Sequence, residues 1–260
     1  MQDGEIPLKG GNSNAEVVQV GETVRRSRGR SSDSVHHLLR HIRIQGFNKC
    51  PVYLGDDDQG RETLSYLSGC CSVSEEHWTN DSFVVSAASM LRSYHDSTVS
   101  LVEQKNMCWG YTYPDASSHE VICHNDYAPY NLISNDGKFT AVIDFDLAGP
   151  GPRLRDVAYC VYWLTPVSQR ANDMKKHAFK DVAENNRRLK LFCESYDIPA
   201  DEKLLDMISD VLHFMSNDSE MLKCIGKEAT DRLIAEGHLE HWLGEARAFD
   251  IYRHNIEREL

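Results

Sequence analysis

His124-Asn125-Asp126-Tyr127-Ala128-Pro129-Tyr130-Asn131, followed by Ile143-Asp144-Phe145-Asp146, decides how this chain is read. Asn131 and Asp144 follow Asp126 by 5 and 18 residues. The interval holds a turn sequence, Asn135-Asp136-Gly137, and an apolar run from Phe139 to Ile143. A strand, a tight turn and a second strand return one acid to the neighbourhood of another. An Asp and an Asn brought together in this way hold Mg2+ against phosphate oxygens, and the remaining Asp is left to orient a hydroxyl. The first element alone would read as a hairpin with capping acids. The second, at this distance, points to phosphoryl-transfer machinery.

Working outward toward the N-terminus, Val17 to Val20 and Thr23 to Arg25 read as short strands about a Gly21-Glu22 turn. Ahead of them, Gly10 and Gly11 sit in a flexible turn whose backbone N–H groups suit phosphate. A helix is expected from Asp33 or Ser34 through Gln45, with Val35, Leu38, Leu39 and Ile42 as its apolar stripe and Gly46 as its stop. Val52 to Gly55 and Glu62 to Leu67 read as strands around Asp56-Asp57-Asp58, a solvated tip without metal-ligand spacing. Ser68-Gly69 marks a hinge. Beyond it the periodicity predicts helices over Asp81 to His95, Asp156 to Leu164, Ala178 to Tyr196, Lys203 to Met215, Met221 to Leu233 and Glu240 to Leu260. The expected architecture is α+β: a small strand-rich lobe, residues 1–68, and a larger helical lobe, residues 69–260, with the chemistry at the seam.

The 260 residues are 41% hydrophobic and 26% charged, ordinary for a globular chain. No run of 18 apolar residues occurs, so no membrane span is expected. The first residues are acidic and lack an apolar signal core. Eight cysteines show no Cys-x-x-Cys spacing, which favours a reduced, cytoplasmic setting. A formal charge of −12 argues against nucleic acid as a partner and mildly favours a basic small molecule. The twelve histidines form no zinc-like cluster, and His36, His37 and His41 read as surface composition. Trp109, Tyr111, Trp163 and Trp242 read as core, with a cation cage as the alternative.

With these residues assembled, the chain resembles the aminoglycoside phosphotransferase and choline kinase superfamily, and within it the bacterial aminoglycoside branch. The resemblance rests on Val17 through Arg26, on Leu54-Gly55 with Gly60 through Gly69, on Leu91 through His95, and on the two elements quoted above. It implies a bilobal protein-kinase-like fold. It also implies a kinase that moves the γ-phosphoryl of ATP or GTP to a hydroxyl of a small, cationic or neutral molecule, as a monomer or dimer. Asp126 then becomes the catalytic acid or base, and Asn131 and Asp144 the Mg2+ ligands. Gly10, Gly11, Arg25, Leu67 and Gly69 are left for the nucleotide. Asp156 resembles an acid that fixes the catalytic loop. A kinase of another hydroxylated metabolite, or a nucleotide-binding relative without turnover, is the alternative. Two features depart from the wider kinase pattern. The third strand offers Arg25 and Arg26 where a Lys is usual, and the following helix contains no Glu to pair with it.

Overall fold

The computed structural model describes residues 4–8, 17–165, 167 and 182–258. Gly10 and Gly11, and the start of the helix expected from Ala178, lie outside them.

Five short strands, β1 (Ile6–Pro7), β2 (Val18–Val20), β3 (Thr23–Arg26), β4 (Tyr53–Asp56) and β5 (Glu62–Ser65), form one antiparallel sheet in the order β1-β2-β3-β5-β4. Helix α1 (Ser32–Ile44) interrupts the strand sequence and buries Val35, Leu38, Leu39 and Ile42, as its periodicity predicts. The β3–β5 register places Arg26 directly opposite Glu62. That cross-strand pair of opposite charge sits at the inner end of the sheet, facing the second lobe.

The second lobe is mainly helical. Its short helix α2 (Glu76–Thr79) leads into α3 (Asp81–Asp96), whose first turn is capped by Asn80 accepting from the Ser82 N–H at 2.9 Å. After the motif come α4 (Arg153–Leu164), α5 (Val182–Tyr196), α6 (Glu202–Met215), α7 (Asp218–Ile225), α8 (Lys227–Ala235) and α9 (His238–Glu257). Phe83, Val84, Ala87 and Leu91 of α3 meet Val157, Ala158 and Val161 of α4 and Leu189 and Phe192 of α5 in one continuous core. Truncating such a buried Leu costs roughly 2–5 kcal/mol.

Between α3 and α4 lie two small two-stranded ribbons: β6 (Val121–Cys123) with β9 (Gly149–Gly151), and β7 (Leu132–Asn135) with β8 (Lys138–Val142). The β7–β8 turn takes positive φ at Asp136 (50°) and Gly137 (73°), the geometry that an Asp-Gly hairpin favours. The architecture is therefore α+β and bilobal, with strands concentrated in the N-terminal part.

One helix expectation is corrected. The segment Met221 to Leu233 is not continuous: Gly226, at φ 81°, ends α7, and α8 begins at the next residue. Asn217 caps α7 from upstream by accepting from the Glu220 N–H at 3.1 Å. Among the described residues no helix is long and apolar enough to cross a membrane.

Candidate active site

The two ribbons bring the motif residues together at the floor of the cleft. Asp126 follows β6, Asn131 ends a single 3-10 turn (Pro129–Asn131), and Asp144 follows β8. The Asn131 side chain donates from Nδ2 to Asp126 Oδ2 at 2.9 Å and to the Asp126 carbonyl at 3.0 Å. Its amide nitrogen is thereby spent and its carbonyl oxygen left for a ligand. Asp144 sits at φ 64°, a strained position for a non-glycine residue.

Buried backbone contacts hold this loop. The Asp156 carboxylate, wholly inside the protein at the start of α4, accepts from the N–H groups of His124 at 2.6 Å and Asn125 at 2.8 Å. It also pairs with His95 Nε2 of α3 at 3.0 Å. Burial opposes its charge, but the His95 bond and the other donors hold its pKa below the usual carboxylate range. His124 donates from Nε2 to the Ile143 carbonyl at 2.9 Å and accepts from the Asp126 N–H at 3.3 Å, which ties the two motif elements together. Burial lowers its pKa and keeps the ring neutral, in a bracing role. Asn125 donates to the Leu147 carbonyl at 2.9 Å and accepts from Arg155 Nε at 2.9 Å. Arg155 is in turn stacked on Tyr111 and Phe214, and Tyr111 is buried, as read from the sequence.

The carboxylates strain against one another. Asp126 is pushed up to about 7, chiefly by burial, with Asp144 adding to the shift against the Tyr130 and Asn131 bonds. Asp144 is raised by burial and by neighbouring Asp146, while Arg26 opposes the shift. Oxygen donors crowded in this way suit a hard divalent cation: the Asn131 carbonyl oxygen and the Asp144 carboxylate fit Mg2+. Ligand atoms of His95, Cys123 and Asp156 also lie within 4.8 Å of one another, but the Asp156 oxygens are already taken up by His95 and by the N–H groups of His124 and Asn125.

Arg25 and Arg26 part company. Arg25 points to Asp57 at the sheet's hairpin tip, 3.6 Å away. Arg26 enters the cleft, with Nε 2.5 Å from Glu62 Oε1 and its terminal nitrogens 2.6 Å from Asp146 and 3.5 Å from Asp144. Glu62 is buried and holds His36 Nε2 of α1 at 2.5 Å through its other oxygen. The helix thus does reach the strand's cation, through a histidine and a borrowed glutamate. His36 is buried rather than at the surface, and its ring stacks on Tyr53 with centroids 3.5 Å apart. Pairing Arg26 with Glu62 requires the β3–β5 register, which no periodicity in the sequence supplies.

Leu67 and Gly69 lie in the linker between the lobes. Gly69 is at φ 140°, and a Cβ there would come within 2.5 Å of the Ile133 side chain. Cys70 exchanges backbone hydrogen bonds with Ser134 at 2.7 and 3.1 Å, which fastens the linker to β7.

On the acceptor side, Tyr130 donates its hydroxyl proton to Asp126 Oδ1 at 2.5 Å, and Tyr159 Oη lies 2.8 Å from Tyr130 Oη. Trp163 meets the Tyr130 ring edge-on at 5.5 Å, with Trp242 packed behind it at 6.3 Å. The acids of the helical lobe, Glu202, Asp206, Asp210, Asp218, Glu228, Asp231, Glu236 and Glu240, are exposed.

Comparison with known proteins agrees with this geometry. Residues 103–192, about a third of the chain, match the model of a phosphotransferase enzyme family. A solved structure from Ralstonia eutropha, provisionally described as an aminoglycoside phosphotransferase, aligns over 98% of this chain and 92% of its own, with a TM-score of 0.58 and 13% identity. The likeness is one of fold, shared with this aminoglycoside phosphotransferase-like structure along nearly the whole chain. The aminoglycoside phosphotransferase APH(3'')-Id of Streptomyces rimosus, in complex with ADP and streptomycin, aligns over 79% of this chain and 90% of its own, with a TM-score of 0.52 and 13% identity. The trifolitoxin immunity protein of Rhizobium leguminosarum bv. trifolii is 35% identical over 150 residues; the match spans 56% of each chain.

Proposed function

We propose that this chain transfers the γ-phosphoryl group of ATP or GTP to a hydroxyl of a small molecule. The observation that carries the reading is the pairing of Asp126 with Asn131 at 2.9 Å, beside an Asp144 held at φ 64°. Asp126 orients the acceptor hydroxyl and takes its proton, and a carboxyl group titrating near neutrality is matched to that task. Asn131 and Asp144 are the residues that would hold Mg2+, which when bound offsets charge on the phosphate oxygens. Arg26 binds the phosphates from the upper lobe, and Glu62 with His36 keeps its guanidinium aimed at them. Linker residues 67–69 supply the wall for the base, and residues 1–68 form the nucleotide-binding lobe. Placement and electrostatics supply most of the rate in such a site.

The acceptor meets an aromatic wall of the half-buried Tyr130 and Trp163 on a chain of formal charge −12, a combination that favours a cationic hydroxyl compound. An aminoglycoside fits that description, as does an amino alcohol. The 35% identity to an immunity protein favours a second reading, in which the molecule phosphorylated is a toxin rather than a metabolite.

The test is product formation from Mg-ATP and Mg-GTP across aminoglycosides, choline, amino alcohols and sugars, with Asp126→Asn alongside. Acceptor-dependent transfer that the variant loses by at least a hundredfold supports the reading. Transfer that survives in Asp126→Asn, or nucleotide that fails to bind at all, overturns it.

A further inference from the structure

We infer that Tyr130 is itself a phosphoryl acceptor: with no external substrate in the cleft, the chain phosphorylates its own Tyr130 hydroxyl. The inference rests on the phosphotransfer reading above and adds an acceptor built into the catalytic loop.

An acceptor hydroxyl must reach the carboxylate that takes its proton. Here one already does. Tyr130 Oη donates to Asp126 Oδ1 at 2.5 Å, a short direct hydrogen bond that already puts the hydroxyl proton against the base. The other Asp126 oxygen is engaged by Asn131 Nδ2, so the phenol stands at the oxygen left over for an incoming hydroxyl.

The ring is also fixed. Tyr159 Oη lies 2.8 Å from Tyr130 Oη, and Trp163 presses edge-on at 5.5 Å. Tyr130 lies one residue before Asn131, so its backbone is anchored to the same turn that carries a candidate ligand for the metal. Groups held in place in this way react as one molecule, and effective concentrations for such pairs far exceed those of a dissolved acceptor.

The step balances without any further reactant. A bond forms between Tyr130 Oη and the γ-phosphorus of a nucleoside triphosphate as the bond from that phosphorus to the β-bridging oxygen breaks. The diphosphate leaves with the electron pair, and the phenolic proton passes to the Asp126 carboxylate.

The experiment is intact-mass and peptide mass spectrometry of the whole chain after incubation with Mg-ATP or Mg-GTP and no acceptor, across a tenfold range of protein concentration. Nucleotide binding is measured on the same sample by calorimetry. The expected result is a single phosphate on Tyr130, formed at a rate independent of protein concentration and absent from Asp126→Asn and from the near-isosteric Tyr130→Phe. Phosphate on another residue, or a rate that rises with protein concentration, overturns the inference. A chain that binds nucleotide but carries no phosphate overturns it too, and leaves the proposed small-molecule kinase standing. A chain that binds no nucleotide overturns both.

Discussion

Glu62 Oε1 lies 2.5 Å from Arg26 Nε, and this contact between adjacent strands sets the position of the cation that faces Asp144 and Asp146 in the cleft. Asp146, Glu62 and Asp144 together overcome the burial that opposes the Arg26 charge, so the guanidinium stays protonated throughout the accessible pH range. Because the second Glu62 oxygen is held by His36, the arrangement links α1 to the cleft as well.

Replacing Glu62 with Gln leaves Arg26 free to fold onto Asp144 and Asp146. The expected result is a loss of Mg-ATP affinity of about tenfold, equivalent to about 1.4 kcal/mol. A lower urea midpoint should accompany it, because breaking a buried pair costs roughly 3–5 kcal/mol. Arg26→Ala should weaken nucleotide at least as much, whereas Arg25→Ala should not. Equal losses from the two arginine variants, measured by calorimetry, would refute the assignment of Arg26 to phosphate.

Asp126 illustrates how a buried carboxyl group in the cleft costs stability. Its pKa is raised from 3.8 to about 7 by burial and then by Asp144. An acid with a raised folded-state pKa binds its proton more tightly when folded. Stability is therefore greatest below pH 3.8 as far as this group is concerned, falls as pH rises toward 7, and is flat above that. Allowing for the residue's partial exposure, the penalty at pH 8 is on the order of 2 kcal/mol. Asp126→Asn, without Mg2+ or nucleotide, should melt at a higher temperature than the natural chain at pH 8, and the gap should narrow by pH 5. A variant that melts lower at pH 8 would contradict this account.

Sequence alone reached the motif because its spacing is local and its turn is explicit: Asn135-Asp136-Gly137 can close a ribbon with few alternatives, and Asp126, Asn131 and Asp144 converge once it closes. Helices with a strong apolar stripe, such as α3 and α6, were legible for the same reason. The Arg26–Glu62–His36 chain was not, because it joins residues from two strands and a helix whose register no periodicity reveals. Met221 to Leu233 kept a helical pattern across Gly226, so the backbone break there was invisible to periodicity. Tyr130 was in view within the motif, yet nothing in its spacing showed that its hydroxyl turns back onto Asp126.

His77 provides a test of acid sensitivity away from the cleft. It is buried between Phe83 and Phe139, with ring centroids 4.6 and 4.9 Å away, and burial pushes its pKa down to about 4. For a base whose folded-state pKa is depressed, stability is complete above the unfolded value of about 6.5. It declines as pH falls toward 4, because the unfolded chain takes up the proton first. The loss across that window is on the order of 3 kcal/mol. In His77→Asn, urea midpoints measured from pH 7.5 to 4.5 should show a shallower decline than the natural chain, whatever the baseline cost of the substitution. Parallel declines would mean that other groups govern acid unfolding.

Asp156 couples stability to the order of the loop that carries Asp126. Three donors converge on its buried carboxylate: the N–H groups of His124 and Asn125 and the ring of His95. An asparagine there has one acceptor oxygen, and its amide would be turned toward one of those donors. Asp156→Asn should therefore lower stability by roughly 3–5 kcal/mol, as expected when a buried charged partner is removed. Because the bonds that are lost anchor residues 124 and 125, the damage should concentrate in the loop. Amide exchange at residues 124–131 should accelerate beyond what global destabilisation explains, as judged against a core variant such as Leu91→Ala with a matched urea midpoint. A uniform acceleration across both variants would show that Asp156 serves packing in general and has no special hold on the loop that carries Asp126.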